Sequence, residues 1–305
     1  MIIYYDSGGR LFTDIISENG QKCVQQYRSI IPGTNGMIMF RFKLMRKLFC
    51  RFPVVDVTES NIIVFDTWID YYYIKALKKK YPDKRIHYWL WNQIDEKSIE
   101  DVERIKTLVP VWSYSPADCE KYGLKYNTQF FFDNLIPENK EELTRKKRSD
   151  EGLKALFIGR EKKRRSDILQ HIISELEKNG VEVSSYISKS DRVGFRKYIL
   201  NEKLIPYKEV LKKTEKTDIL IDCYGREDAG CSLRVMESLF FEKKLVTNNL
   251  SLAYYDFYDS HNIYIMGKEE RSLKEFLSEP YVPVSRDIRD RYRFSSWAER
   301  FLEEK

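Results

Sequence analysis

The chain has 305 residues, enough for two α/β domains, each with its own core. An apolar share of 42% and a charged share of 33% exclude a disordered chain, and a net charge of +6 suits an anionic ligand or surface without demanding one. Five cysteines with no CxxC spacing exclude a disulfide framework and a structural zinc site, so the thiols are expected to be reduced.

The chain opens with an apolar run, Ile2 to Tyr5, predicted as a short buried strand. No basic segment followed by a long apolar one marks a signal peptide there, and no apolar run reaches the length of a membrane span. A cytoplasmic protein is expected. A turn, Asp6-Ser7-Gly8-Gly9, follows the strand, and Leu11, Phe12, Ile15 and Ile16 then recur at helical spacing. The stretch from Met37 to Phe52 has no Gly or Pro and reads as a basic helix. Asn61–Asp66, Arg85–Trp91 and Val109–Ser113 read as strands, with helices over Trp68–Lys80 and Glu96–Thr107 between them. Ser115-Pro116 opens a short helix, because serine caps and proline suits the first turn.

A polar, charged run begins at Asp133, and we set a linker at 136–152. The pattern then restarts with a strand from Leu153 to Ile158. Ile168, Leu169, Ile172, Ile173 and Leu176 form one stripe of a helix that Asn179-Gly180 ends. Strands at Val181–Ile187, Asp218–Cys223, Lys244–Thr247 and Asn262–Met266 alternate with helices at Tyr207–Lys216 and Ser232–Glu242. The expected division is a first domain over 1–135, a second over 153–285, and a closing C-terminal helix, 286–305, packing back on the first. Phe294, Trp297, Phe301 and Leu302 share a face of that segment. Strands alternating with helices predict parallel sheets, and ligands bind beyond the carboxyl ends of such strands.

The residues after each strand are therefore the candidates. Gly159, Arg160, Lys162, Lys163 and Arg164 combine a permissive backbone with cations at a helix start, which suits a diphosphate or is a solvated basic helix end. The run from Tyr224 to Glu237 supplies two glycines and a helix N-terminus. Arg234 and Glu237 there share a helix face, as ligand contacts or as an ordinary surface ion pair. Pro206 and Tyr207 precede or open a helix, where proline alone would explain capping. Gly8, Gly9 and Arg10, with Asp14 beyond them, shape either an acceptor site or a tight turn. The three histidines have no metal-ligand spacing, and His171 reads as structural. No GxSxG, GxxxxGK[ST] or GxGxxG is present, so serine hydrolase, P-loop NTPase and dehydrogenase readings fall away.

The run GCSLRVMESLFFEKKLVTNN resembles the donor-binding segment of GT-B glycosyltransferases, and the order LFIGREKKR, IPYKEVLKKTEKTDILID, SLRVMES, KKLVTNN is similar throughout. The tail YYDFYDSHNIYIM and the closing FSSWAERFLEEK look like those of enzymes encoded with bacterial capsule and lipopolysaccharide genes. The resemblance covers roughly Leu153 to Lys305. It implies an α/β chain of two Rossmann-like domains facing across a cleft, and transfer from a nucleotide-sugar to a glycan or lipid-linked acceptor. By that resemblance Glu237 holds the donor ribose, and Ser232, Leu233 and Arg234 meet the diphosphate. Arg160 and the Lys162–Arg164 cluster replace a metal ion, so no cofactor is expected. Pro206 and Tyr207 lie near the base, and Asp228 lies in the donor loop. Many retaining members carry a second glutamate eight residues before the first, where this chain has Ala229, so inverting and retaining outcomes both stay open. Asp14 is the candidate base for inversion. The Met37–Phe52 helix would rest on an anionic membrane or simply face water. A nucleotide-sugar epimerase and a non-catalytic binding subunit are the alternatives, and no nucleic-acid module is present.

Overall fold

A computed structural model describes residues 2–4, 12–25, 57–66, 71–95, 98–137, 152–160, 166–188, 205–225, 230–268 and 271–303. The expected Met37–Phe52 helix and most of the linker lie outside the described residues. Among those residues no helix is long and apolar enough to cross a membrane. The chain divides into two compact units. The first holds Met1–Thr128, Phe132–Asn134 and Phe294–Lys305, and the second holds Gln129–Phe131 and Leu135–Arg293.

In the first unit the strands are β1 (Ile2–Tyr4), β2 (Cys23–Gln25), β3 (Asn61–Phe65), β4 (Arg85–Leu90), β5 (Val111–Ser113) and β6 (Lys125–Tyr126). They lie in the order β2-β1-β3-β4-β5-β6, and every pairing is parallel. The helices are α1 (Thr13–Glu18), α2 (Tyr71–Lys80), α3 (Ile99–Lys106) and α4 (Pro116–Tyr122). Ser115 caps α4 as its sequence requires, its Oγ accepting from the Asp118 N–H at 3.2 Å.

Strand residues alternate between two buried faces, as a sheet covered on both sides demands. Ile62, Val64, Ile86, Tyr88 and Leu90 pack with Ile74 and Leu77 of α2 and with Val102 and Ile105 of α3. The other face carries Phe65, His87, Trp89 and Trp112, and it is closed by the C-terminal helix Phe294–Arg300. Trp297 meets Phe65 at 5.7 Å and Trp89 at 5.2 Å between ring centroids, both edge-on, and Phe301 meets Trp112 at 4.8 Å. Asp133 holds the start of this helix, accepting from the N–H and Oγ of Ser295, each at 2.9 Å. Arg300 bonds Asn127 and Thr128 near its end, each at 2.6 Å.

The 286–305 stretch is two helices rather than one. Helix α9 (Arg286–Asp290, in the second unit) stops before Tyr292, whose carbonyl accepts from the Phe131 N–H at 2.7 Å. Leu302, read from the sequence as part of the buried face, is 50% exposed because the helix ends at Arg300.

The second unit contains β7 (Lys154–Arg160), β8 (Glu182–Ser188), β9 (Ile219–Asp222), β10 (Lys244–Thr247) and β11 (Ile263–Ile265). Their order is β11-β10-β9-β7-β8, again with every pairing parallel. The helices are α5 (Ser166–Lys178), α6 (Tyr207–Glu215), α7 (Leu233–Phe240), α8 (Leu273–Ser278) and α9. Leu169, Ile172 and Leu176 of α5 enter the core, while His171 is on its exposed side. Gly180, at φ 77°, ends the α5 turn in the left-handed region. Both units are doubly wound parallel α/β folds of Rossmann-like type, with the strand order reversing beside the first strand of each sheet.

Replacing Trp297 with alanine should destabilise the first unit by about 3–5 kcal/mol, the usual cost of deleting a fully buried aromatic ring. Denaturant unfolding measures this, and an unchanged midpoint would show that the helix does not hold the sheet. His87 provides a pH test. It is buried, accepts from Trp112 Nε1–H at 3.2 Å, and has its pKa lowered to about 4 by burial and by the charges of Arg85 and Lys125. The unfolded chain therefore binds a proton that the fold refuses, and stability falls as pH drops from about 6.5 towards 4. His87→Gln should flatten that part of the stability curve.

Candidate functional site

The reversal of strand order in the second unit falls between β7 and β9. The loop joining β9 to α7 leaves the sheet there, and two asparagines after β10 hold its arms. Asn248 exchanges two bonds with the backbone of Tyr224, each 2.9 Å. Asn249, fully buried, donates to the Gly230 carbonyl at 3.3 Å and accepts from the Ser251 N–H at 3.1 Å. The asparagines of the KKLVTNN run thus grip the loop from both ends. Its lysines are anchors too. Lys243 donates to the carbonyl of Glu215 at the end of α6 at 3.0 Å, and Lys244 to that of Phe276 in α8. Ammonium groups suit the negative ends of helices.

The loop delivers Ser232 to the N-cap of α7. Its Oγ accepts from the N–H groups of Arg234 at 3.0 Å and Val235 at 3.3 Å. Its proton goes to Asp222 Oδ2 at the end of β9, 2.9 Å away. The cap therefore uses the second and third helical N–H groups. Among the described residues, the N–H groups of Ser232 and Leu233 carry no protein partner. They lie at the positive end of an eight-residue helix, where an anion is favoured.

One turn further on, Arg234 Nη1 is paired with Glu237 Oε2, and Arg234 Nη2 donates to the Ile158 carbonyl of β7 at 3.3 Å. The side chains are 10% and 2% exposed, so the ordinary surface pair that the spacing also allowed is ruled out. Burial raises the Glu237 pKa and Asp222 pushes it further, while Arg234 and the Tyr207 hydroxyl pull it back. Tyr207, the first residue of α6, is buried against Glu237. Burial and that carboxylate put its own pKa well above the usual phenol value.

The structure thus brings together Tyr207, Ser232, Arg234 and Glu237 with the end of β7, next to Gly159. Pro206 is the exposed N-cap of α6, and Leu233 is the first, half-buried residue of α7. Arg160 is the last residue of β7 and nothing is described of its side chain, while Gly8, Gly9, Arg10, Lys162, Lys163, Arg164 and Asp228 lie outside the described residues. Asp14 stands in the first turn of α1 in the other unit, exposed.

Sequence reasoning passed over Asp222, although an aspartate closing an apolar strand just ahead of a glycine loop was visible. It also passed over Asp66, which follows β3 beside the strand reversal of the first sheet. That carboxylate accepts from the N–H groups of Trp91 at 2.9 Å and Asn92 at 3.2 Å. Burial raises its pKa to about 7 against the pull of those bonds.

No protein-family model matches the chain, and no curated protein matches it. Among solved structures, the chain is similar to a lipopolysaccharide outer core galactosyltransferase, WaaB, in its apo form. Identity is 13%, the match covers 99% of this chain and 97% of that one, and the TM-score is 0.49. It is also similar to an S. aureus MnaA–UDP co-structure, at 10% identity over 99% of this chain and 94% of that one, again with a TM-score of 0.49. The fold and the site define a protein of two doubly wound α/β units. The second carries a buried acid–base cluster under a helix N-terminus at its strand reversal.

Asn249→Ala should free the Gly230 arm of the loop. Hydrogen exchange at Gly230–Leu233 is expected to accelerate about tenfold, the equivalent of roughly 1.4 kcal/mol for one lost buried hydrogen bond. Unchanged exchange would mean that the asparagine does not organise the site.

Proposed function

We propose that the protein is a metal-independent glycosyltransferase of the GT-B type, moving a sugar from a nucleotide-activated donor to a glycan or lipid-linked acceptor. The second unit takes the donor. The observation that carries this reading is the buried Arg234–Glu237 pair beside the two N–H groups of Ser232 and Leu233 at the strand reversal. A nucleoside diphosphate needs both chemistries, an anion seat and an acceptor for ribose hydroxyls.

Breaking a sugar–phosphate bond develops negative charge on the departing diphosphate. Helix N–H groups and fixed guanidinium or ammonium charges stabilise that charge without a divalent ion. Arg234 supplies one such charge, and Arg160, Lys162, Lys163 and Arg164 add more in the same reading. Glu237 takes the ribose, with Pro206 and Tyr207 towards the base and Asp228 in the donor loop. In the first unit the acceptor hydroxyl needs a base if the reaction inverts. Asp14 is one candidate in this reading, beside Gly8, Gly9 and Arg10. Asp66 is a second, favoured by a pKa of about 7, which suits proton uptake at neutral pH. Work on surface polysaccharide at the inner face of the cell membrane belongs to the same proposal.

Thermal unfolding with UDP, GDP, CMP and dTDP tests it. The matching nucleotide should add about 2.7 kcal/mol when present at a hundredfold excess over its Kd. Glu237→Gln should weaken that nucleotide about tenfold while the protein stays folded, roughly the worth of one charge-assisted hydrogen bond. Binding without donor hydrolysis or transfer would point to a binding subunit instead. No shift with any nucleotide would overturn the reading.

A further inference from the structure

Two internal acceptors hold the Arg234 guanidinium, one on its own helix and one on β7. The side chain therefore reaches the carboxyl-terminal half of β7, the strand beside which the order reverses and where ligands of doubly wound sheets bind. An anion arriving there meets a guanidinium already committed to Glu237. Glu237, at 2% exposure and neutralised by that guanidinium, has little to offer a hydroxyl donor. The two groups that suit a nucleotide are thus spent on each other. A third, the Tyr207 hydroxyl, is fixed beside Glu237 by burial at the start of α6, independently of the arginine.

We propose that Arg234 is a displaceable latch on Glu237: the diphosphate of a nucleotide draws the guanidinium away, and the carboxylate, still flanked by Tyr207, then accepts the ribose hydroxyl. This rests on the nucleotide-sugar reading of the same cluster and specifies how its halves communicate. A nucleoside alone must break the ion pair without offering the arginine a new partner. Pyrophosphate alone takes the arginine but leaves a buried carboxylate without its counter-charge. Together each ligand removes the cost of the other, which is positive coupling between two subsites. The latch also makes the site discriminate against free nucleosides in favour of their diphosphates.

Calorimetric titration of the full chain with uridine, guanosine, cytidine and thymidine, with and without inorganic pyrophosphate, and then with the 5′-diphosphates, tests the latch. In the wild type, saturating pyrophosphate should tighten the preferred nucleoside about fivefold or more, the lower range of ordinary coupling. Arg234→Gln should move the two ligand classes in opposite directions. The nucleoside should bind about two- to fivefold tighter because the latch is gone, and the diphosphate about tenfold weaker because its cation is gone. Pyrophosphate should no longer affect the nucleoside in that variant. An arginine that only braces the fold would weaken both classes together, and that result overturns the latch. So does a wild type in which pyrophosphate leaves nucleoside affinity unchanged or lowers it, a measurement that stands even if the variant does not fold. Diphosphate binding without coupling removes the latch alone, whereas no binding of any nucleoside diphosphate removes the nucleotide-sugar reading and the latch with it.

Discussion

A carboxylate placed inside a protein has to be answered by charge or by protons, and Glu237 is 2% exposed in a helix whose other buried residues are the apolar Val235, Met236, Leu239 and Phe240 and Ser238, whose hydroxyl donates to the Lys243 carbonyl. Taking such a group out of water costs several kcal/mol, and an ion pair recovers that cost only with good partners. Buried ion pairs replaced by apolar side chains of similar volume often leave a protein as stable or more so. The pair is therefore poor evidence of a device for stability and better evidence of a site. Its demands propagate outward. Arg234 must reach both Glu237 and the Ile158 carbonyl, so α7 must begin close to the end of β7. Tyr207 must stand beside the carboxylate, which fixes the start of α6.

The start of α7 is in turn the work of hydrogen bonds that carry no chemistry of their own. The Ser232 hydroxyl donates to Asp222, so both serine lone pairs face helix N–H groups. Asn248 and Asn249 hold the loop to the strand next door. Lys243 and Lys244 tie that strand to α6 and α8. A run that reads as one motif is thus divided in labour: SLRVMES carries the buried Arg234–Glu237 pair, and KKLVTNN holds the loop that leads into it.

Periodicity made much of this legible. Apolar runs of strand length alternating with helical stripes identified two parallel α/β folds, because buried parallel strands leave no other pattern. Ser115-Pro116 and Asn179-Gly180 marked helix ends, since caps are local chemistry. The three-residue spacing of Arg234 and Glu237 put them on one face but could not say that the face is buried, which depends on the sheet beneath. Asp222 was invisible as a partner of Ser232, because a contact across ten residues and a loop has no local signature. Helix α8 was missed although Ser272 and Glu275 form a capping box, a signal that its six-residue length obscured.

The most consequential long-range feature is the burial of the C-terminal aromatics. Phe65, Trp89 and Trp112 are strand residues that pack against Trp297 or Phe301, so one face of the first sheet is finished by the last residues of the chain. Its polar ties are equally distant: Ser295 bonds Asp133 across 162 residues, and Arg300 bonds Asn127 across 173. Closing so long a loop costs entropy before any contact forms. A chain made from its N-terminus usually completes its domains in that order. Here the residues that cover this face of tryptophan and phenylalanine follow the second unit in the chain. The second unit differs: its apolar core draws on Ala155 to Phe276, one stretch of the chain, so its core contacts close shorter loops.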